Sequence, residues 1–476
     1  MTGPLPEGLR AKIRHLDWYL DGPLLHPLRK SAGALIVAAG PWILAIATLL
    51  LIGRTAQHWM GAEAIEDMRL AVVYAFMLAP LVATPLGITA ARAISDGKGG
   101  PDGKLDIKDV GALMLVACAV AGIAAQALAM GVALALRLSD PALVLAFAVL
   151  TASSAMMWTA FIVLRACHAR HRLILAFAAG MAGAVVLSLL TAKTAQSSAN
   201  LVWCFSAGIA LSVGFCLAPL GLAGLEGAAL WRAAGRMHET ARTTWPLALG
   251  AMFAIAGVWA DKWVAWAGPQ GLTSTAGFVH SPTYDSALFL AHLSAVPGLA
   301  ALALHFEAPL PRAMARFRAA LSRGACLRMA EREAGALGGV IWTGIQRSMM
   351  AQLALSTGFL LMAPILATAA CLRLDQFLIL RTGIAGILLH ALFLAASAVL
   401  ILFNRKLAFL AVQFLFLAVN LVASSALSLT TGTSALGFAM AALISGTAAT
   451  LIASATIRDS LRHSFLDGND ALYRTG

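Results

Sequence analysis

Charge is scarce in this chain. Only 12% of its 476 residues are Asp, Glu, Lys or Arg, while 60% are apolar, a balance far outside that of soluble domains. Long polar stretches are missing too, so no sizeable water-soluble domain fits between the apolar runs. Strand-type alternation is absent, which argues against a membrane barrel and leaves helices to satisfy the backbone in lipid. Cysteine is sparse, and Cys118, Cys167, Cys204, Cys216, Cys326 and Cys371 form no C-x-x-C pair, so neither a disulfide framework nor a zinc site is expected. No Walker A, H-E-x-x-H, G-x-S-x-G or D-x-D motif occurs. Nucleotide hydrolysis and the familiar membrane hydrolase and glycosyltransferase chemistries are therefore not encoded, and no cofactor, metal or covalent step is expected.

What the sequence does have is apolar runs. They fall at about 32–52, 70–91, 110–135, 142–164, 173–192, 200–223, 245–266, 284–304, 348–370, 377–403, 407–429 and 435–457, each near the roughly 20 residues that a helix needs to cross a bilayer. The expected fold is an all-α polytopic membrane protein of about twelve transmembrane helices. The first run follows a polar segment containing Glu7, Asp17 and Asp21, unlike a cleavable signal peptide, and is expected to remain as span one.

A net charge of +12 would suggest nucleic acid in a soluble protein. Here the basic residues sit in the connections between spans, and no nucleic-acid partner is expected. With the N-terminus in the cytoplasm, most Lys and Arg fall on the cytoplasmic side, including Arg10, Lys12, Arg14, Arg29 and Lys30 before span one and Arg165, Arg170 and Arg172 after span four. The positive-inside rule then places both termini in the cytoplasm.

The expected organisation is a cytoplasmic segment with an interfacial helix at 1–31, an N-lobe of spans one to six at 32–223, an inter-lobe cytoplasmic loop at 224–244, a C-lobe of spans seven to twelve at 245–457, and a cytoplasmic tail at 458–476. Six spans per lobe is an even number, so the lobes would be parallel repeats about an axis along the membrane normal. Two basic amphipathic stretches are expected on the membrane surface. One carries Leu9, Ile13, Leu16 and Leu20; the other carries Met314, Phe317 and Leu321 beside Arg312, Arg316 and Arg323.

Ionisable residues inside a span are costly, so they single out candidate sites. The densest group is Trp259-Ala-Asp261-Lys262-Trp263-Val-Ala-Trp266 in span seven. Helical spacing puts Trp259, Lys262, Trp263 and Trp266 on one face, with Asp261 rotated about 100° from Lys262. Three readings are open: an interfacial tryptophan belt with Lys262 snorkelling, a transport-path wall, or a helix-bridging salt bridge. Span eight opens on Tyr284-Asp285, carries His292 two turns later, and then meets Pro297-Gly298, where a kink is expected. His390 in span ten is a further buried candidate. Asp261, Asp285, His292 and His390 have the chemistry for proton coupling. For Gln126, Gln352, Gln413 and Asn420, helix-helix hydrogen bonding is the expectation.

These residues also carry a family resemblance. Gly257-Val-Trp259-Ala-Asp261-Lys262-Trp263, Gly268-Pro269, Tyr284-Asp285, Leu293-Ser294, Val296-Pro297-Gly298 and Glu307 together resemble the PelG family of Pel exopolysaccharide exporters. Supporting segments are Gly40-Pro41-Trp42, Tyr74-Ala-Phe76, Ala363-Pro364, Arg381 and Asn404-Arg405-Lys406. The chain departs from the family pattern in its longer N-terminal polar segment, in His292 where an aromatic residue is expected, and in the stretch after Glu307.

The resemblance implies two six-helix lobes of the multidrug/oligosaccharidyl-lipid/polysaccharide exporter superfamily around a central cavity. It also implies export of an amino-sugar polymer across the bacterial inner membrane, in company with a PelF-like cytoplasmic glycosyltransferase, a PelD-like cyclic-di-GMP receptor and a PelE-like membrane protein. Trp259, Asp261, Lys262, Trp263, Tyr284 and Asp285 become substrate-path candidates, and His292, Pro297, Glu307, Arg381 and His390 coupling or gating candidates. An ion-coupled flippase for a lipid-linked oligosaccharide, or a small-molecule antiporter on the same fold, is the alternative. A diphosphate-lipid flippase would need cationic residues at midplane depth, and Lys262 and Arg381 both lie near a span end.

Overall fold

A computed structural model describes residues 40, 43–95, 106–167, 170–192, 194, 196–220, 225–307, 309–322, 326–431 and 434–463. The 1–31 segment with its expected interfacial helix, Pro41 and Trp42, Arg323, and the tail from 464 onward lie outside the described residues. So do the side chains of Pro297 and Glu307.

The chain is a succession of helices: α1 (Ile43–Ala56), α2 (Ala62–Ser95), α3 (Ile107–Leu136), α4 (Pro141–Ala166), α5 (Arg170–Thr191), α6 (Ser198–Leu217) and α7 (Gly227–Ala267). A small hairpin of β1 (Leu272–Thr273) and β2 (Val279–His280) follows. After it come α8 (Pro282–Leu293), α9 (Ala295–Glu307), α10 (Pro309–Ser322), α11 (Leu327–Ala369), α12 (Leu374–Leu402), α13 (Lys406–Thr431) and α14 (Ala435–Arg458). Among the described residues, eleven segments are long and apolar enough to cross a membrane, with α8 and α9 counted together, and α1 adds a shorter apolar helix where span one is expected. The protein is a multi-pass membrane protein.

Local chemistry sets the helix ends. Asp140 caps α4 by accepting from the Ala142 N–H (2.9 Å), with Pro141 in the first turn, where its missing N–H costs nothing. Arg137 closes α3 in the left-handed region at φ 56°, so four residues suffice to turn the chain. Asn404, at φ 55°, ends α12 in the same conformation, which an Asn tolerates better than most residues.

Two hydrophobic cores divide the molecule. The first is built from α1 to α6 together with Ala233, Met237, Trp266, Ala276 and Phe278; the second is built from α8 and α10 to α14 together with Leu247, Ala251 and Ala265. The helix α7 therefore contributes to both and lies along the seam. It packs on α13 through Gly257, where an added Cβ would stand 2.5 Å from the Phe416 ring, so only glycine permits that approach.

Four expectations need correction. The 224–244 segment, expected as a loop, is helical from Gly227 and continuous with span seven. Span nine likewise begins at Leu327 rather than near 348. Hydropathy registers only all-round apolar helix, and these extensions are amphipathic, burying Ala233 and Met237 in one case and Ala330, Leu337 and Ile341 in the other.

The third correction concerns span eight. It breaks at Ser294, between α8 and α9, rather than bending at Pro297. Pro297 has no N–H to offer the Leu293 carbonyl four residues back, so the ladder is interrupted there. Fourth, the basic 309–322 helix does not use its apolar face on lipid. Leu310, Ala313, Met314 and Phe317 are buried in the second core, and Arg316 lies 3.6 Å from Glu333 on α11.

Candidate functional site

Asp261 sits on α7 at the seam and is fully buried. A carboxylate there must be surrounded by donors. Tyr284 Oη, in the first turn of α8, donates to Oδ2 at 2.6 Å, and Asn420 Nδ2, on α13, reaches Oδ1 at 3.3 Å. The same Asn420 amide donates to the Gly257 carbonyl (2.8 Å), and Ser434 donates to the Asp261 carbonyl (3.1 Å). Two helices, α8 and α13, thus converge on the α7 carboxylate, and the turn before α14 holds the backbone carbonyl of the same residue.

Lys262 faces away from this cluster, as its rotation around the helix requires. Its ammonium donates to the Val258 carbonyl (3.0 Å), lies 5.2 Å from the Trp259 ring centroid, and stands 4.0 Å from Asp261 Oδ1. The charges are therefore near each other without a direct hydrogen bond, and Lys262 remains partly exposed.

The tryptophans do not form a lipid-facing belt. Trp266 is buried, stacks on Tyr74 of α2 at 5.0 Å, and donates to both carboxylate oxygens of Asp285 at 2.9 Å. Trp263 directs its indole N–H at the Met77 sulfur (3.0 Å). Trp259 and Trp263, each partly exposed, pack against the first core. The aromatic face of α7 is thus turned across the seam toward α2. Asp285 also accepts from the Ser281 N–H (3.2 Å), closing the start of α8.

Asp285 and His292 do not form a joined polar stripe. His292 Nδ1 donates to the Leu288 carbonyl (2.8 Å) and its ring packs on Phe438. His390 stacks on Phe416 at 5.1 Å and packs on the same Phe438 ring. The two histidines thus share an aromatic neighbour in the second core. Arg381 is exposed on α12, with its guanidinium 5.7 Å from the Phe377 ring, apart from the Asp261 cluster. Pro297 and Glu307 lie on α9.

At the α8–α9 break, Gln352 of α11 donates to the Ser294 carbonyl and to Ser356 Oγ, both at 3.0 Å. A Cβ at Gly298 would overlap the Gln352 amide oxygen, so the break and its clamp fit only because residue 298 is glycine. Gln413 donates to Ser397 Oγ (3.1 Å). Three of the four candidate amides are buried and bridge elements as expected, while Gln126 is exposed. Among the described residues, no group of three or more His, Cys, Asp and Glu is placed to hold a metal ion.

Sequence reasoning missed the other side of the seam. Glu66, Asp67 and Tyr74 of α2 all bond to the hairpin segment. Span two was expected to begin near residue 70, which assigned the two acids to a loop. They lie in the second turn of α2, behind Glu63 in its first turn, and this acidic cluster just ahead of an apolar run was the available signal of a helix start.

The comparisons with known proteins come to bear on this geometry. The PelG model, described as "Putative exopolysaccharide Exporter (EPS-E)", matches residues 21–465. No curated protein matches the chain. Among solved structures, it is similar to an inward-facing multidrug resistance MATE family transporter of the MOP superfamily, with 16% identity, 86% of this chain and 94% of that chain covered, and a TM-score of 0.62. It is similar also to a MATE transporter in a bent conformation (15%, 93% and 97%, 0.61) and to a MOP superfamily transporter from Pyrococcus furiosus (13%, 90% and 96%, 0.58). At these identities the likeness shows a shared MATE-like transporter fold.

Proposed function

The chain belongs to the PelG family of exopolysaccharide exporters, and from that premise we propose that it carries an amino-sugar exopolysaccharide across a bacterial inner membrane, along the seam between its two cores. It is a transporter and not an enzyme.

The observation that carries the proposed path is the aromatic face of α7. Trp259, Lys262 and Trp263 are the partly exposed members of that face, and they point across the seam. A polymer that must slide needs many weak contacts rather than a few tight ones. Indole faces supply these by stacking on the apolar C–H faces of sugar rings. Lys262 lies 4.0 Å from Asp261, which offsets its charge and removes a strong trap for a charged chain. Tyr284 and Asp285 act one layer behind, holding Asp261 and Trp266 in place.

In this reading both termini are cytoplasmic, the hairpin faces the periplasm, and the lobes meet at α7. The cytoplasmic extensions of α7 and α11 lie on the side where a PelF-like glycosyltransferase would deliver polymer, with PelD-like and PelE-like proteins completing the synthase. Within this reading, elongation by the glycosyltransferase drives the polymer forward. The buried rings of the second core, packed on His292 and His390, back the C-lobe side of the path.

The test is to replace Trp259, Lys262 and Trp263 by Ala one at a time, in cells with an intact synthase, and to measure secreted polymer alongside membrane level. A fall of tenfold or more at normal membrane level is expected for at least one tryptophan. Normal export from all three would remove the path.

A further inference from the structure

The hairpin between α7 and α8 belongs by connection to helices of the second core, yet its contacts are with the first. Phe278 is fully buried, 5.1 Å from Tyr74 and 5.6 Å from Phe147. Asp67 accepts from Thr275 Oγ1 (2.6 Å) and from the Ala276 N–H (3.2 Å). His280 Nε2 donates to Glu66 (3.0 Å), Tyr74 Oη donates to the Val279 carbonyl (2.7 Å), and the Ser139 N–H donates to the Ala276 carbonyl (3.1 Å). Gly277, at φ 104°, makes the turn that fits over Leu138, a conformation that suits glycine alone. One short loop therefore holds the start of α2 and the α3–α4 turn at once.

This is a different kind of contact from the one at the far end of α7. There, Ala233 and Met237 are buried in the first core, and the polar contact beside them is Arg236 and Asp109, 3.6 Å apart and both about a third exposed, a pair that water and salt weaken. At the hairpin end, an aromatic plug and a buried carboxylate with two donors close the seam, so the buried polar lock lies at that end. The hairpin is also wired to the site: Tyr74, which holds Val279, is stacked on Trp266, and Trp266 holds Asp285.

We propose that residues 272–280 form a releasable latch that must leave its notch on α2 and the α3–α4 turn for this end of the seam to open. Its withdrawal breaks the hydrogen bond that anchors Tyr74, the ring stacked on Trp266, so opening and rearrangement around Asp285 occur together. Bistable packing of this kind, rather than gradual deformation, is how two-state elements switch.

Two measurements test the latch separately from the polymer it serves. Ser139→Cys with Ala276→Cys, joined by a short cross-linker that reacts by thiol exchange, fixes the hairpin in place. Secreted polymer is expected to fall at least tenfold and to recover on reduction, with neither single variant affected. Full export by the cross-linked protein would mean a permanent tether and would overturn the proposal. Independently of export, Met77→Cys, beneath the latch, is labelled by a soluble thiol reagent in membranes. Adding Asp67→Ala should raise its rate about tenfold, and Asp67→Asn, which keeps one acceptor and guards against misfolding, should give a smaller rise. No rise in either variant at normal membrane level overturns the latch. A labelling change together with normal export from the Trp259, Lys262 and Trp263 variants would instead remove the proposed path and leave the latch standing.

Discussion

Tyr284 donates a 2.6 Å hydrogen bond to Asp261 Oδ2, joining the first turn of α8 to the buried carboxylate of α7. It is the shortest contact that carboxylate makes, since Asn420 is at 3.3 Å and Lys262 at 4.0 Å. Tyr284→Phe removes the donor and leaves no room for water behind it. The expected loss is about 1 to 2 kcal/mol, near the upper end for polar contacts between membrane helices. Thermal unfolding in detergent measures it. Because Asn420 serves the same carboxylate, Tyr284→Phe and Asn420→Ala should be non-additive in a double-mutant cycle; strict additivity would show that the two donors do not act on one charge.

The clamp at the broken span gives a second expectation. Gly298→Ala places a methyl where the Gln352 amide stands, and Gln352 also satisfies the Ser294 carbonyl exposed by the break. The variant should lose about 1 to 3 kcal/mol, as overpacked sites do. Gln352→Ala clears the clash, so the double variant should be more stable than the sum of its singles. Unchanged stability in Gly298→Ala alone would place the two helices further apart than described.

The span pattern was legible because lipid imposes one rule, an apolar run long enough to cross, and α3 to α5 and α12 to α14 obey it within a few residues. The rest was hidden for separable reasons. The extensions of α7 and α11 are helical without being apolar all round, so hydropathy is blind to them. Within the site, rotation around α7 correctly sent Asp261 and Lys262 to different neighbours, and Asn420 stood out as a buried amide. Spacing cannot say which helix faces which. For that reason the readings of the tryptophan face stayed open until Trp266 was seen buried against Tyr74, and the hairpin's grip on Asp67 spans more than 200 residues of sequence.

The helix α10 separates a protein-packed surface helix from a lipid-bound one. Phe317 is only 2% exposed, so Phe317→Ala should cost about 3 to 5 kcal/mol in detergent, where no bilayer is present. Arg312 is exposed, and Arg312→Ala should stay within about 0.5 kcal/mol. A helix held by lipid would show the reverse dependence: little change in detergent, and a change that grows as anionic lipid is added.

Arg381 tests the geometry against the resemblance. It matches a family segment and its charge lies near a span end, both reasons to expect a role in coupling. The structure puts it on an exposed face of α12, stacked over Phe377 at 5.7 Å, while the polar cluster on Asp261 draws on α7, α8, α13 and the turn before α14. An exposed cation-π pair contributes about 0.5 to 1 kcal/mol, and lipid headgroups can replace it. Arg381→Ala should therefore export polymer within about twofold of the parent chain at equal membrane level, whereas Asp261→Ala, which empties a fully buried site and strands Tyr284 and Asn420, should fall by tenfold or more. If Arg381→Ala abolishes export and Asp261→Ala does not, the working surface lies on α12 and the Asp261 cluster is scaffolding.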